Sequence, residues 1–525
     1  MIRKQITSHY SVSEQISLDD VDHLAESGVN LIIGNRPDNE EEGQLAFAEI
    51  AARAEKNHIK ALHIPFAGGQ MQASDVAAFK AALSTADNVH AFCRTGNRSS
   101  LIWEAANQAE SAKKAPSKQF DVVIVGAGTA GIATAASLLK RNASVRICLI
   151  DPATDHFYQP GWTLVGGGVF KAASTRRNMA DVIPKGVEWI KEAVQGFLPK
   201  DNEVVLETGQ VIAYQQLIVA SGLKLNWDAI EGLSDTLGHN GVTSNYRYDL
   251  APYTWELAKN LDGGTALFTQ PPMPIKCAGA PQKAMYLSCD HWLKQGLLDD
   301  IEVSFYNAGA VLFGVSDYVP ALQSYIEKYQ VNTHFTHNLV KVDGPNQLAY
   351  FSTKDENDQQ IVIEKSFDML HVCPPQCAPD FIRNSPLVDE AGWVDVDKET
   401  LQHTTFANIW SLGDVANSPN AKTMAAARKQ APVVAQNVYD ALAKRSIKAI
   451  YDGYGSCPLT VERGKIVLAE FGYGGVVMPT FPNWLNDGTK PTWLAWILKE
   501  DLLPPFYWHG MLKGYEWFVK PTMRK

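Results

Sequence analysis

Residues 120–140, FDVVIVGAGTAGIATAASLLK, constrain this chain more than any other stretch. An apolar run, DVVIV, passes at once into glycines at 126, 128 and 131, and these open an alanine-rich helical pattern. A buried strand that turns tightly into a helix presents backbone N–H groups at the helix N-terminus, where the dipole favours a phosphate. The next strand, VRICLID, ends on Asp151, twenty positions after Gly131, where a carboxylate can accept both hydroxyls of a ribose. A glycine triplet alone is weak evidence. Strand, turn, helix, strand and acid in this order describe a dinucleotide site at Gly126, Gly128, Gly131 and Asp151.

Two later stretches serve the same cofactor. LIVASG (217–222) reads as a strand ending in small residues, and IWSLGDVAN (409–417) as a strand that delivers Gly413 and Asp414 to the phosphate and ribityl side of a flavin. Lys422 and Thr423 follow, and the helix beginning there would point its positive end at a reduced isoalloxazine. The three stretches together predict an α/β, Rossmann-type flavoprotein with two dinucleotide-binding domains, and FAD as its cofactor. In FTQPPMPIKCAGAPQ (268–282), Pro271, Pro272 and Pro274 stand where a nicotinamide cofactor would need a second glycine turn, and proline has no N–H to offer. NAD(P)H is therefore a poor match. The nearest reactive group is the thiol of Cys277, beside Lys276. A second candidate thiol, Cys457, lies in the glycine-rich stretch YDGYGSCPL, read as a loop able to bring it close.

At 525 residues, 46% hydrophobic and 20% charged, the chain suits a multidomain globular enzyme. A net charge of -10 argues against a nucleic-acid partner. Seven cysteines are too sparse for a secreted disulfide scaffold, and no stretch approaches a spanning helix, so a cytoplasmic location is expected. The polar segment SAKKAPSKQ (111–119) marks a boundary. It separates a small α/β domain (1–112) and a linker (113–119) from the flavin-dependent part (120–450) and a C-terminal region (451–525). Cys148 and Cys289 read as core residues. Cys373 and Cys377, in HVCPPQCAP, are a rival pair, read as inert or accessory thiols. No metal site is assigned, because two further ligands are not found.

In the first domain, VNLIIG and VHAFC alternate with helical patterns, and CRTGNRSS (93–100) places Cys93 between a strand and a helix. Loop N–H groups, Arg98 and the helix dipole favour negative charge at the sulfur, which makes Cys93 a candidate nucleophile with Arg98 as its partner. With VNLIIGNRPDNEEEGQ upstream, residues 1–112 resemble the beta-lactamase-hydrolase-like, phosphatase-like family. The loop departs from tyrosine phosphatases: Phe92 precedes the cysteine, and four residues rather than five separate Cys93 from Arg98. That size is rhodanese-like, suited to a sulfane sulfur and tight for a phosphate. Asp75 stands at a helix start, where an N-terminal charge is a simpler role than general acid.

HFYQPGWTLVGGG (156–168), PIKCAGAPQKAMYLS (274–288), AGWVDVDKETLQH (391–403) and YDGYGSCPL (451–459) resemble the eukaryotic-type sulfide:quinone oxidoreductases, from about Phe120 onward. The resemblance implies a redox pair, Cys277 and Cys457. Sulfide would attack the outer sulfur, Cys457, leaving a persulfide there, and Cys277 would pass two electrons to the flavin. It also implies quinone as acceptor, and it reads TWLAWILKEDLLPPFYWHGMLKGYEWFVK (492–520) as a peripheral contact with the inner (plasma) membrane. The expectation is thus a fused enzyme that oxidises sulfide to sulfane sulfur, with Cys93 accepting or transferring that sulfur, taken from Cys457 or from a small carrier such as glutathione. The alternatives are an NAD(P)H-dependent disulfide reductase and a phosphatase fused to a redox-sensing flavoprotein.

Overall fold

The computed structural model describes residues 3–524 apart from residues 8, 42, 69 and 109–115. The chain divides into two compact units, Met1–Ala115 and Pro116–Lys525. Residues 113–115 of the expected linker lie outside the described residues, and the strand opening the second unit already begins at Lys118.

The first unit is a five-stranded sheet in the order Lys4–Thr7, Tyr10–Ser13, Val89–Phe92, Leu31–Gly34, Lys60–His63. The first two strands pair antiparallel and the others run parallel. Parallel strands covered on both faces need apolar residues at every position, which LIIG and VHAF supply around a single buried histidine. Leu31 and Ile33 pack on one face with Tyr10, Phe79 and Ile102, whereas Ile32 packs on the other with Val21, Leu24 and Ile50. The helix Leu18–Glu26 is fixed by a capping box in which Ser17 and Asp20 satisfy each other's backbone N–H. Asp75 does the same at the helix Ala73–Leu83, where its Oδ2 accepts the Gln72 N–H at 2.8 Å.

The second unit holds two sheets of Rossmann type. In the first, Val187–Ile190, Ile147–Ile150, Lys118–Val125 and Val211–Val219 run parallel in that order, and Ile409–Ser411 adds beside the last. The antiparallel strands Glu203–Leu206 and Val194–Leu198 extend the sheet. In the second, Val242–Thr243, Met369–His371, Gly264–Gln270, Ile301–Asn307 and Asn332–Phe335 are all parallel. The helix Thr129–Arg141 packs against Met424–Leu442, and its small residues Ala130, Ala133 and Ala135 allow that approach. The C-terminal segment returns to this core: the Tyr507 hydroxyl lies 2.7 Å from Thr129 Oγ1 and 2.6 Å from His156 Nε2, and Arg141 pairs with Glu516. Among the described residues, no helix is long and apolar enough to cross a membrane.

Candidate active site

The turn after Lys118–Val125 is built for close backbone approach. Gly126 has φ +105°, and a Cβ there would lie 2.5 Å from the Ala220 carbonyl oxygen. A Cβ on Gly131 would lie 1.9 Å from the Gly126 oxygen, so this glycine serves the packing of helix on turn. Gly128 faces open space, and with Gly126 it lines a cavity of about 810 Å³. Asp151 stands at the same wall. Its carboxylate accepts the Ala127 N–H at 2.6 Å and the Ala153 N–H at 2.8 Å, and burial pushes its pKa upward against these bonds.

Gly413 and Asp414 line the far side, with the Gly413 N–H donated to Gln430 Oε1 at 2.8 Å. Loss of hydration pushes the Asp414 carboxyl up, opposed by Lys422 and Lys276. Lys422 donates to the carbonyl oxygens of Asp414 and Ala416 at 2.8 Å each, and burial lowers its pKa to about 8. Thr423 caps the helix Met424–Leu442 by accepting the Ala426 N–H, and that helix turns its N-terminus to the cavity. Buried polar atoms of Ser221, Thr163, Trp162 and Asn245 on the wall have no partner among the described residues. A cradle that tolerates no Cβ at Gly126, a buried acid and unsatisfied polar atoms together fit the dinucleotide of a flavin cofactor.

The second Rossmann sheet is finished differently. After Gly264–Gln270 the chain runs through the prolines to Cys277, which adopts φ +51° and donates its N–H to the Lys422 carbonyl at 2.8 Å. The helix Ala280–Gln295 follows, and its N-terminus is closed by the strand Gly455–Glu462. A Cβ on Gly279 would meet Leu459 at 2.2 Å and Cys457 Sγ at 2.8 Å. The start of this helix is thus packed against Leu459 and Cys457, in contrast to the open glycine turn at Gly128.

Cys457 is therefore not on a flexible loop, as its glycine-rich context suggested. It is on a strand, 2% exposed, because SCPLTV pairs antiparallel with the apolar run of Lys465–Phe471. The pairing brings Cys457 Sγ to 3.5 Å from Cys277 Sγ across 180 positions of sequence. Cys277 is half-buried and lines the cavity.

Lys283, one turn into the helix and 2% exposed, donates to Cys277 Sγ at 3.1 Å and reaches Cys457 Sγ at 3.8 Å. The Cys457 thiol donates to Cys277 and, against burial and with Lys283 adding its charge, holds the Cys277 pKa well below the usual thiol range. Bonded to that sulfur and buried, Cys457 is raised. Burial pulls Lys283 down, but the two sulfurs outweigh it and keep it charged. Lys499, on the C-terminal segment, donates to the Pro160 carbonyl at 2.8 Å. Burial, with Lys283 nearby, lowers its pKa to about 7.

Lys276, adjacent to Cys277 in sequence, instead bonds Gln159 Oε1 at 2.6 Å. The useful lysine was signalled by a charge in the middle of the apolar helix APQKAMYLSC. Lys499 had no comparable signal. Cys373 is buried, and burial pushes its thiol up to about 12; Cys377 is half-buried on a strand beside Lys224–Leu225. Cys148 and Cys289 are in the core.

In the first unit Cys93 is 1% exposed at the end of the central strand Val89–Phe92, just before the helix Asn97–Gln108. Gly96, at φ +82°, makes the turn between them. Arg98 interacts with the Cys93 sulfur. Its Nη1 and Nη2 also each donate to Glu40 at 2.7 Å, and Nη1 donates to the Phe66 carbonyl at 2.9 Å. Arg36 Nε donates to the same glutamate at 3.0 Å. Glu40 and Arg36 lie in the stretch NRPDNEEEGQ, but only the fold shows which carboxylate meets Arg98.

Residues 3–111 match the family model described as beta-lactamase hydrolase-like protein, phosphatase-like domain, and residues 120–254 match pyridine nucleotide-disulphide oxidoreductase. The mitochondrial sulfide:quinone oxidoreductase of Dictyostelium discoideum is 42% identical over 405 residues, 77% of this chain and 88% of that protein. The mitochondrial enzyme of Mus musculus is 38% identical, covering 77% and 89%. In fold, the chain is similar to the sulfide:quinone oxidoreductase of Aquifex aeolicus, with a TM-score of 0.64 at 19% identity over 78% of this chain and 98% of that one.

Proposed function

The chain belongs to the sulfide:quinone oxidoreductase family, and from that premise we propose that sulfide is oxidised at Cys277 and Cys457, with FAD passing the electrons to a quinone. The observation that carries this reading is the 3.5 Å approach of the two sulfurs beside the Lys283 ammonium, with Cys277 facing the cavity that the dinucleotide residues line. Gly126, Gly128, Asp151, Gly413, Asp414, Lys422 and Thr423 would hold FAD, and Gly131 would hold the turn. Bound there, the flavin supplies a two-electron acceptor.

The work of the chain's own residues follows from charge. In the oxidised pair, hydrosulfide attacks Cys457 Sγ; the S–S bond breaks, Cys457 gains an –SH-capped sulfur, and Cys277 leaves as a thiolate. Lys283 makes Cys277 the better leaving group, because its ammonium is nearer to that sulfur. A thiolate acceptor then attacks the outer sulfur and carries it off as a persulfide. Leu502, Trp517 and Phe518 line the cavity and are themselves exposed, so an apolar rim is available to a lipid-soluble quinone and to peripheral attachment at a membrane.

Cys93 is the second sulfur-handling group of this proposal, accepting sulfane sulfur from a small carrier or from Cys457. The six-residue span from Cys93 to Arg98 supports it, and fusion of the two units raises the effective concentration of one site at the other.

Anaerobic titration with sulfide tests both roles. The flavin absorbance of the wild type should bleach with about one equivalent, and Cys277→Ser or Cys457→Ser should slow bleaching by about 10³-fold or more. Cys93→Ser should bleach normally and lose persulfide-dependent sulfur transfer. Normal bleaching in either pair variant, or faster bleaching by NADH than by sulfide, sinks the main reading. A Cys93→Ser protein that still transfers sulfur sinks the second role alone.

A further inference from the structure

A second cleft of the flavin-dependent unit, about 590 Å³, lies between the helix Thr129–Arg141, the segment 180–185 and the C-terminal residues Leu512 and Lys513. Lys140, Lys185 and Lys513 line it, with Leu139, Ile183 and Pro184 as its apolar wall. All three lysines are exposed, and none has a carboxylate within ion-pair distance among the described residues. Of the acids nearby, Glu516 pairs with Arg141, while Asp181 lies on the cleft wall itself and accepts from Asn178 at 3.3 Å, so the lining carries three lysines and one carboxylate. Three lysines to one carboxylate leave this cleft net positive in a chain of net charge -10, and none of the three is within ion-pair distance of that carboxylate.

The cleft is physically continuous with the apolar rim. Lys140 Nζ sits 3.2 Å over the Tyr515 ring, which stacks on Trp517 at 4.9 Å, and Trp517 borders the main cavity. Tyr515, Trp517 and Phe518 are 46%, 50% and 85% exposed. Half-wet aromatic rings with cations beside them match the bilayer interface, where rings enter the headgroup layer and lysines meet phosphates.

We propose that this lysine cleft binds the phosphate headgroup of an anionic phospholipid and so orients the apolar rim on the membrane. The proposal rests on the peripheral-membrane reading above and adds the lipid charge that reading leaves open. Each lysine near an anionic surface contributes on the order of a fivefold gain in binding, so three together give on the order of 10²-fold at low salt.

Flotation of the full-length flavoprotein with phosphatidylcholine vesicles, with and without phosphatidylglycerol, tests it. The wild type should bind the anionic vesicles far more tightly, and added salt should erase the difference. The triple variant Lys140→Ser, Lys185→Ser, Lys513→Ser should bind both vesicles equally and weakly while reducing a water-soluble quinone with sulfide at the wild-type rate. Equal binding of the wild type to both vesicles overturns the lipid inference and leaves the membrane reading standing; this holds even if the variant fails to fold. Binding to no vesicle overturns both. Protection of the three lysines from acetylation by inorganic phosphate, but not by anionic vesicles, assigns the cleft to a soluble anion and overturns the lipid source.

Discussion

Two sites in this protein pair a thiol with a buried cation, yet they balance that cation in opposite ways. Lys283 donates to the two sulfurs themselves, so its charge is available to whichever of them becomes a thiolate. Arg98 gives its two terminal nitrogens to Glu40, which Arg36 also holds. A carboxylate partner fixes the guanidinium in orientation and takes up part of its charge. On the roles proposed above, a counter-charge shared between two sulfurs suits a pair that cycles between bonded and anionic, and a positioned one at Cys93 suits a substrate that must be aligned.

The sharpest way to break this contrast is to remove Lys283. Lys283→Met should lower sulfide-dependent reduction by about 10²-fold and raise the pH at which Cys277 becomes alkylated, while sulfur transfer at Cys93 stays unchanged. An unaltered alkylation profile would mean that the ammonium is packing, not charge.

Removing the fixed partner should cost less. Glu40→Gln leaves Arg98 charged but loosely held, and sulfur transfer through Cys93 should fall by about tenfold, mostly in turnover, with sulfide-dependent reduction untouched. A rate equal to wild type would deny Glu40 its positioning role.

The smallest effect concerns Lys499, whose pKa burial lowers to about 7. Below that pH it is an ammonium that favours thiolates at Cys277 and Cys457, and as pH rises through about 7 the charge is lost. The sulfide step, normalised to hydrosulfide, should decline by about threefold across this range, and Lys499→Met should flatten the profile. A profile that keeps its inflection in the variant assigns the ionisation to another group.

Much of this was legible in the linear order of residues. The glycine turn, Asp151 and the proline-blocked second turn are local features: a strand running into a helix, or a missing N–H, is decided within a dozen residues by backbone sterics and hydrogen bonding. The cysteines at 277 and 457 were legible through family motifs. Their environment was not. Gly453 and Gly455 give Cys457 the local pattern of a loop, whereas the strand that carries it is set by pairing with Lys465–Phe471.

What the sequence by itself determined is the Rossmann frame and the dinucleotide turn that opens it, which follow from short-range patterns, and which thiols are candidates, which follows from family motifs. Only the tertiary structure decided that Lys283 and not Lys276 meets the sulfurs, that Lys499 reaches the same cavity from the C-terminal segment, and that Glu40 holds Arg98. The reason is physical: the fate of a charge depends on what desolvates it and which opposite charge lies within a few ångströms, and those neighbours come from distant parts of the chain.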